Sequence, residues 1–315
     1  MTTAVVFGYG DVGVRCLATL LAQGVRVLQV FTHPDDPNEA RWYASMTRFA
    51  TEHDIPVHLS ADAAGAEVEA AVAALGPDLL FSFYYRRMIP DAVLRHARQA
   101  ALNMHGSLLP AFRGRAPVNW VCVHGATETG ASLHHMTARP DAGALVDQMP
   151  VPILPDDTAY DVFRKVCTAA ELVLARSLPA LRDGTAAAVP LDLSMGSYYG
   201  ARRPEDGEID WSQGAQRAHN LVRAVAPPFP GARTQLDGQP LRVLRTRLDG
   251  RQPLLPDAAL SACVFAEAHR VYARCMDGSV LRLLEVEWGA ALLPLAALQA
   301  QVAQGPLRLT GRGTP

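Results

Sequence analysis

An asparagine and a histidine two residues apart, Asn103 and His105, are the side chains whose types and spacing best suit chemistry. They follow the apolar pair Ala101-Leu102, which is typical of the end of a strand, and residues two apart in an extended segment project to the same side. An amide N–H can donate to an oxyanion, and a histidine can relay a proton near neutral pH. The pair therefore suits acyl transfer, in which a tetrahedral intermediate develops negative charge.

Such a histidine needs a third group, normally a carboxylate that orients the ring and raises its pKa. Asp141, within Arg139-Pro-Asp-Ala-Gly143, is a candidate, although sequence alone does not show the contact. The chain has 10 histidines, and His134, His135 and His219 have no comparable setting along it. Because an isolated Asn-x-His is more often structural than catalytic, the pair by itself leaves a structural role open.

A glycine turn, Gly8-Tyr-Gly-Asp-Val-Gly13, follows the first apolar run and opens a helix. Its spacing and context match the G-x-G-x-x-G fingerprint, which predicts a dinucleotide pyrophosphate at the helix N-terminus. The second half of the fingerprint is weak, because the next strand ends in Phe31-Thr-His33 rather than in an acidic residue. Asp11 also places a carboxylate inside the turn, where it would repel a phosphate. We therefore favour a structural turn, with dinucleotide binding as the competing interpretation.

The elements that must position these side chains alternate between strands and helices. Apolar residues at helical spacing predict helices over 14–22, 41–53 and 67–75, and β-branched or aromatic runs predict strands over 4–7, 25–31, 56–59 and 79–84. This alternation predicts an α/β fold, Rossmann-like, with a mostly parallel sheet. Ligands of such sheets bind at the carboxyl ends of the strands, which is where Asn103 and His105 are expected.

The pattern changes near residue 200. The sequence predicts a long helix over 160–181, a polar linker over 201–207 and a helical segment within 209–226. Short alternating runs then predict strands over 241–244, 262–265, 270–275 and 280–286. We therefore expect a catalytic domain over 1–200 and a small β-rich, OB-like domain over 201–315, a division that the length of 315 residues also favours.

Charge and cysteine usage argue against several classes of protein. The formal net charge of −2 supplies no large basic field for a phosphate backbone, which argues against a nucleic-acid partner. The 5 cysteines are odd in number and show no C-x-x-C spacing, so we expect neither a disulfide framework nor a metal site. The sequence shows no signal peptide and no long uninterrupted apolar run, so we expect a cytoplasmic protein without a membrane span.

Several motifs in series carry a resemblance to a known family. They are Asn103-x-His105, Ser107-Leu-Leu-Pro110, Arg113-Gly-x-Ala-Pro117 and Asp141-Ala-Gly143. Together they resemble the 10-formyltetrahydrofolate-dependent formyltransferases. The extended run over 103–120 is closer to one branch, the formyltransferase domain of the bifunctional enzyme that acts on UDP-4-amino-4-deoxy-L-arabinose. Further matches lie at 31–33, 81–86, 124–130, 156–157 and 220–226, so the resemblance covers nearly the whole chain.

The resemblance implies an enzyme that moves a formyl group from 10-formyltetrahydrofolate to the amine of a nucleotide-linked amino sugar. In that branch the acceptor is UDP-4-amino-4-deoxy-L-arabinose, and the product serves lipid A modification. Asn103 would stabilise the oxyanion, His105 would be the general acid or proton shuttle, and Asp141 would raise the pKa of His105. The implied folate contacts are Arg87, Met88, Ile89, Arg115, Thr137, Ala138, Arg139, Pro140 and Asp141. The chemistry requires neither a metal nor a covalent enzyme intermediate.

The chain departs from that branch in two respects. It is too short to hold the decarboxylating dehydrogenase domain of the bifunctional relative, and the Gly8–Asp11 turn lacks the histidine of that branch.

Three competing functions stay open at the level of sequence. Methionyl-tRNA formyltransferase shares the core motifs, but the acidic loop over 33–39 and the mixed charges of 202–210 argue against a tRNA acceptor. An NAD-dependent oxidoreductase would use the glycine turn and would leave the motifs from Asn103 to Asp141 unexplained. A non-catalytic module that binds folate or a nucleotide sugar would not need the intact Asn103, His105 and Asp141.

Overall fold

The structure is a computed structural model, in which the chain divides into two compact units. The structure describes residues 1–35, 42–59, 63–249, 262–289, 291–312 and 314. Of residues 291–293 it describes only the backbone. The first unit holds Met1–Pro117, Glu128–Pro152 and Phe163–Gly200. The second unit holds Val118–Thr127, Ile153–Val162 and Ala201–Pro315.

The described residues form helices, strands and short 3-10 helices throughout both units. The helices are α1 (Gly10–Ala22), α2 (Met46–Glu52), α3 (Ala66–Leu75), α4 (Asp91–Leu94), α5 (Pro117–Val123), α6 (Ala159–Arg182), α7 (Gly214–Val225) and α8 (Leu295–Val302). The strands are β1 (Thr3–Gly8), β2 (Arg26–Thr32), β3 (Val57–Leu59), β4 (Leu79–Phe83), β5 (Ala100–His105), β6 (Arg113–Gly114), β7 (Glu128–His135), β8 (Leu145–Pro152), β9 (Tyr198–Tyr199), β10 (Ala232–Leu236), β11 (Gln239–Arg247), β12 (Cys263–Glu267), β13 (Arg270–Arg274), β14 (Val280–Trp288), β15 (Ala291–Leu293) and β16 (Leu307–Thr310). The 3-10 helices lie at Leu193–Met195, Pro204–Gly207 and Trp211–Gln213. Within these described residues no helix has the length and apolar character needed to cross a bilayer.

The first unit is built on a sheet with the strand order β3-β2-β1-β4-β5-β7-β8. The five strands β3, β2, β1, β4 and β5 run parallel to one another, whereas β7 pairs antiparallel with both β5 and β8. All five residues of β4, LLFSF, are buried, as expected of a parallel strand covered on both faces. The predicted α/β fold with a mostly parallel sheet is confirmed.

Two predicted helices begin at different residues from those expected. The helix predicted over 14–22 begins at Gly10, because the glycine turn itself supplies the first helical residues. The helix predicted over 41–53 spans Met46–Glu52, because the Ser45 hydroxyl caps it by accepting a backbone N–H at 3.2 Å. Residue 41, the predicted start, lies outside the described residues.

The second unit is built around an antiparallel β-barrel. Its strands follow the order β11-β10-β16-β12-β13-β14, and β14 pairs back with β11 to close the ring. The indole of Trp211 is fully buried in the core of this unit and donates its N–H to the Thr234 hydroxyl at 2.8 Å. The expected β-rich C-terminal domain is therefore confirmed as a barrel. Part of the predicted linker, Pro204–Gly207, is a 3-10 helix.

Candidate active site

Asn103 and His105 lie on β5, at the carboxyl end of the parallel part of the sheet. The strand continues through both residues instead of ending at Leu102, because β4 and β7 pair with it on either side. Its pleat places the two side chains on the same face, as their spacing predicts. His105 is 6% exposed, so its ring is largely removed from water.

Asp141 lies beside both residues, although the three come from distant parts of the chain. One carboxylate oxygen, Oδ1, is 3.3 Å from Asn103 Nδ2 and 3.5 Å from His105 Nδ1. The other, Oδ2, accepts the backbone N–H of Gly114 at 2.8 Å. The structure thus brings the three predicted catalytic residues together.

The two ring nitrogens of His105 both face acceptors. Its Nε2 lies 2.9 Å from the carbonyl oxygen of Phe112, which can only accept, so Nε2 carries the hydrogen in the neutral ring. Burial lowers the pKa of His105 below its ordinary value and outweighs the nearby Asp141 charge and the Phe112 hydrogen bond, which raise it. Asp141 acts in the expected direction, but the net result is a histidine that is neutral at pH 7 with Nδ1 as its basic atom.

The Asp141 carboxylate is ionised in this setting. Burial alone raises its pKa, but the charge that the His105 ring carries when it is protonated and the hydrogen bond from the N–H of Gly114 prevail and hold the pKa at about 2. A fixed negative charge therefore lies next to Nδ1 of His105, where it favours a proton arriving on that atom.

His134 is the site residue that the sequence reasoning missed. It lies directly opposite Asn103 in the pairing of β5 with β7 and is 2% exposed. Its Nε2 is 3.1 Å from Asn103 Nδ2 and 3.5 Å from Asp141 Oδ1. The expectation that His134 has no setting comparable with His105 is wrong, because the register of an antiparallel pair brings it into the cluster. No local motif carries that register.

Four non-glycine residues around the site have left-handed backbone conformations. They are Tyr84, Phe112, Ala116 and Asp141, with φ of 58°, 54°, 51° and 47°. Each such residue costs roughly 1–2 kcal/mol. At Phe112 and Asp141 this backbone carries the two groups that contact His105. Strain of this kind concentrates where a fold holds functional groups in fixed directions.

Tyr84 closes one wall of the site. A Cβ at Gly106, the neighbour of His105, would overlap the Tyr84 hydroxyl, so only glycine fits at this position. That hydroxyl is buried and has no hydrogen-bond partner among the described residues. Burial raises the pKa of Tyr84 well above its ordinary value, so the group stays neutral.

The catalytic cluster opens into a cavity of about 540 Å³ in the first unit. Its lining includes Arg87, Met88, Ile89, Arg115, Thr137, Arg139, Pro140 and Asp141, all of which were predicted contacts. Ala138, which was also predicted, is exposed and does not line the cavity. Met88 and Ile89 supply an apolar wall, and the arginines supply a basic rim. The cavity thus suits an aromatic ligand that carries anionic groups.

The glycine turn has a structural explanation for each glycine. A Cβ at Gly8 would lie 2.7 Å from the methyl group of Met46, Gly10 has a φ of 61°, and Gly13 packs against the Gly8 backbone. Atoms of Tyr43 lie nearest to the position of a Cβ at Gly10, 3.8 Å away. Packing and backbone conformation thus account for all three glycines, which disfavours the dinucleotide interpretation.

Asp11, the carboxylate inside the turn, also has a local role. Its Oδ1 accepts the backbone N–H of Ala44 at 2.6 Å and so ties the segment before α2 to the turn. The aromatic ring of Tyr9 stacks beneath the guanidinium of Arg86, 4.2 Å from the ring centroid. The turn therefore serves as a packing element at the end of β1.

Comparison with known proteins identifies the family to which both parts of the chain belong. The family model described as formyl transferase matches residues 2–178, and the one described as formyl transferase, C-terminal domain, matches residues 202–294. The two matches cover the α/β sheet and most of the barrel, and they define the protein as a group-transfer enzyme. The chain belongs to the formyl transferase family.

Solved structures with the same fold share little sequence with this chain. An N-formyltransferase from Helicobacter canadensis, in complex with folinic acid and dTDP-3-aminofucose, has a TM-score of 0.71 at 18% identity over 90% of this chain and 99% of its own. WlaRD, a sugar 3N-formyl transferase in the presence of dTDP and 5-N-formyl-THF, has a TM-score of 0.67 at 17% identity over 90% and 97%. HypX from Aquifex aeolicus, in complex with tetrahydrofolic acid, has a TM-score of 0.62 at 17% identity over 96% of this chain and 47% of its own.

Proposed function

We propose that this chain transfers the formyl group of 10-formyltetrahydrofolate to the amine of a nucleotide-linked amino sugar. The observation that carries the proposal is the cluster of the buried His105 with the partly buried Asn103 and Asp141, which lines a cavity with an apolar wall and a basic rim. Acyl transfer needs an oxyanion donor, a proton carrier and a fixed charge to stabilise that carrier. The cluster contains all three.

The cavity offers matching surfaces for a folate. The pterin and the aromatic linker require apolar contact, which Met88 and Ile89 provide. The glutamate carboxylates require cations, and Arg87, Arg115 and Arg139 are exposed at the same cavity. Folinic acid and 5-N-formyl-THF in the related structures support a reduced formyl folate as the donor.

The reaction begins with attack of the neutral amine on the formyl carbon. A carbon–nitrogen bond forms and the formyl oxygen gains negative charge, which an amide hydrogen of Asn103 stabilises. His105 accepts the amine proton at Nδ1, where the carboxylate of Asp141 lies 3.5 Å away. His105 then gives the proton to the folate nitrogen as the bond from that nitrogen to the formyl carbon breaks. The products are a formamide and tetrahydrofolate.

For the acceptor we propose UDP-4-amino-4-deoxy-L-arabinose, on the resemblance of residues 103–120 to the branch that acts on it. A diphosphate needs cations, and the four arginines at the cavity, Arg86, Arg87, Arg115 and Arg139, exceed what a folate tail requires. The dTDP-linked amino sugar in a related structure makes other nucleotide sugars the first competitors.

A second candidate acceptor is methionyl-tRNA. The net charge of −2 argues against it, since a tRNA backbone binds through a basic surface. The loop over 33–39 was predicted to repel tRNA, and its residues 36–39 lie outside the described residues.

The experiment is a formyl-transfer assay with 10-formyltetrahydrofolate and three separate acceptors: UDP-4-amino-4-deoxy-L-arabinose, dTDP-3-aminofucose and methionyl-tRNA. The wild type is compared with His105→Ala and with His135→Ala, which removes a neighbouring histidine from outside the cluster. We expect a formylated nucleotide sugar from the wild type and the control but not from His105→Ala. Formylation of tRNA alone would refute the sugar acceptor, and no transfer to any amine would refute the proposed reaction.

A further inference from the structure

His134 occupies a position in the site that the proposed chemistry does not yet use. Its ring is buried in β7, opposite Asn103 across the pairing with β5. Its Nδ1 lies 2.8 Å from the carbonyl oxygen of the neighbouring His135. A carbonyl can only accept a hydrogen bond, so Nδ1 carries a hydrogen.

The orientation of the Asn103 amide follows from the group that it faces. One terminal atom of the amide lies 3.3 Å from Oδ1 of Asp141, whose carboxylate is ionised. An amide oxygen there would repel the carboxylate, so this atom is the nitrogen, Nδ2, and it donates. The second hydrogen of Nδ2 points to Nε2 of His134, 3.1 Å away, which therefore accepts it with its lone pair.

We propose that His134 is a positioning residue for formyl transfer, because its Nε2 lone pair holds the amide nitrogen of Asn103, and not the amide oxygen, toward the reacting formyl group. This role of His134 rests on the proposed function, because it concerns how the Asn103 amide is oriented for that reaction. The chain of contacts runs from the carbonyl of His135 through the ring of His134 to the amide.

Competition for a single oxygen atom explains why Asp141 is not sufficient to hold the amide. Its Oδ1 lies within 3.5 Å of His105 Nδ1 and also faces Asn103 Nδ2. When His105 takes the amine proton, the new cation draws that oxygen and the amide hydrogen is released to the oxyanion. The bond to His134 then remains to keep the amide from rotating. His134 is therefore needed most in the transition state, when the negative charge has developed, so its loss should lower kcat.

The variants separate this role from simple packing. His134→Met fills a similar volume without a comparable acceptor, whereas His134→Gln offers a carbonyl oxygen at a similar reach. His58→Gln is the matched control, since His58 is a partly buried histidine on β3 that does not line the cavity. We expect His134→Met to lower kcat by roughly tenfold to a hundredfold with the KM for folate nearly unchanged. We expect His134→Gln to recover most of the loss and His58→Gln to behave as wild type.

A double-mutant cycle tests whether the effect passes through Asn103. In the Asn103→Ala background, His134→Met should cause no further loss of kcat, because there is no amide left to position. Equal kcat for His134→Met and wild type, equal losses for the Met and Gln variants, or additive effects in the cycle would each overturn the proposal.

NMR spectroscopy tests the proposal on the wild-type protein alone, without catalytic turnover and without any variant. NMR of the histidine side-chain nitrogens in the wild type distinguishes the two neutral tautomers of His134. The proposal requires a hydrogen on Nδ1 and a bare Nε2; a hydrogen on Nε2 would overturn it even if the enzyme transfers formyl groups. If no acceptor is formylated, the proposed function fails while this NMR result still decides the placement of the Asn103 amide.

Discussion

Replacing Asp141 with asparagine removes the negative charge beside His105 and keeps the size of the side chain. The carboxylate oxygen lies 3.5 Å from His105 Nδ1, which corresponds to roughly 5 kcal/mol of attraction for a charged ring at an effective dielectric constant of about 20. The amide dipole of the variant recovers part of this. We therefore expect kcat to fall by roughly a hundred- to a thousandfold, equivalent to about 3–4 kcal/mol.

The pH dependence of kcat tests the role of Asp141 in a second, independent way. The charge of Asp141 raises the pKa of His105, although burial keeps the net value below the ordinary one. Without that charge the pKa of His105 falls further. The acidic limb of kcat against pH, which reports the loss of the neutral His105, should therefore move to lower pH in Asp141→Asn.

The assay measures kcat and KM for formyl transfer over a range of pH, with Asp147→Asn as the control. Asp147 is also a partly buried aspartate, but it lies on β8 and pairs with Arg176 outside the cavity. The control should keep the wild-type kcat. A kcat for Asp141→Asn within tenfold of wild type, or an acidic limb that stays in place, would refute the role given to this carboxylate.

Gly106, the glycine turn and the Asp141 carboxylate each allow a separate test. Gly106→Ala should lower both kcat and the melting temperature, because the new Cβ overlaps the Tyr84 hydroxyl, and adding Tyr84→Phe should restore part of both; additive losses by calorimetry and kinetics would contradict this packing. Nicotinamide dinucleotides should show no binding in fluorescence titrations, since packing accounts for the glycines and Asp11 places a carboxylate in the turn; a saturating signal would revive the oxidoreductase interpretation. The pKa of Asp141 is about 2, against 3.8 for a free group, so its ionisation stabilises the fold by roughly 2–3 kcal/mol above pH 4. In denaturant titrations, the difference in free energy of unfolding between the wild type and Asp141→Asn should therefore shrink as the pH falls from about 4 toward 2. A difference that stays constant with pH would contradict this.

The parts of the site that depend on local spacing were predictable from the sequence. Asn103 and His105 lie on the same face of one strand because their separation is two, and no distant contact is needed to infer it. The α/β order of the first unit was predictable for the same reason, since each strand and helix is marked by its own apolar period.

The parts that depend on register were not predictable. His134 reaches Asn103 through an antiparallel pairing of β5 with β7, and a shift of one residue would turn its ring to the other face. Likewise, the barrel closes through the pairing of β11 with β14, between residues far apart in the chain. The direction of the His105 pKa depends on burial, which the neighbours along the sequence do not reveal.

The role of Asp141 was predictable from the sequence, but its geometry was not. The sequence identified it as the partner of His105 by chemical type and by resemblance. The left-handed backbone at φ 47° and the N–H of Gly114, which together aim and hold the carboxylate, become visible only in the folded chain.

An isotope-labelled formyl carbon allows the proposed transfer itself to be observed. The labelled 10-formyltetrahydrofolate is mixed with UDP-4-amino-4-deoxy-L-arabinose and the wild-type protein, and the label is followed by NMR. We expect the label to appear in a formamide on the sugar nitrogen as tetrahydrofolate accumulates, and His105→Ala to abolish the transfer. If the label stays on the folate or leaves as free formate, both with this sugar and with dTDP-3-aminofucose, the protein does not formylate a nucleotide sugar in the proposed way.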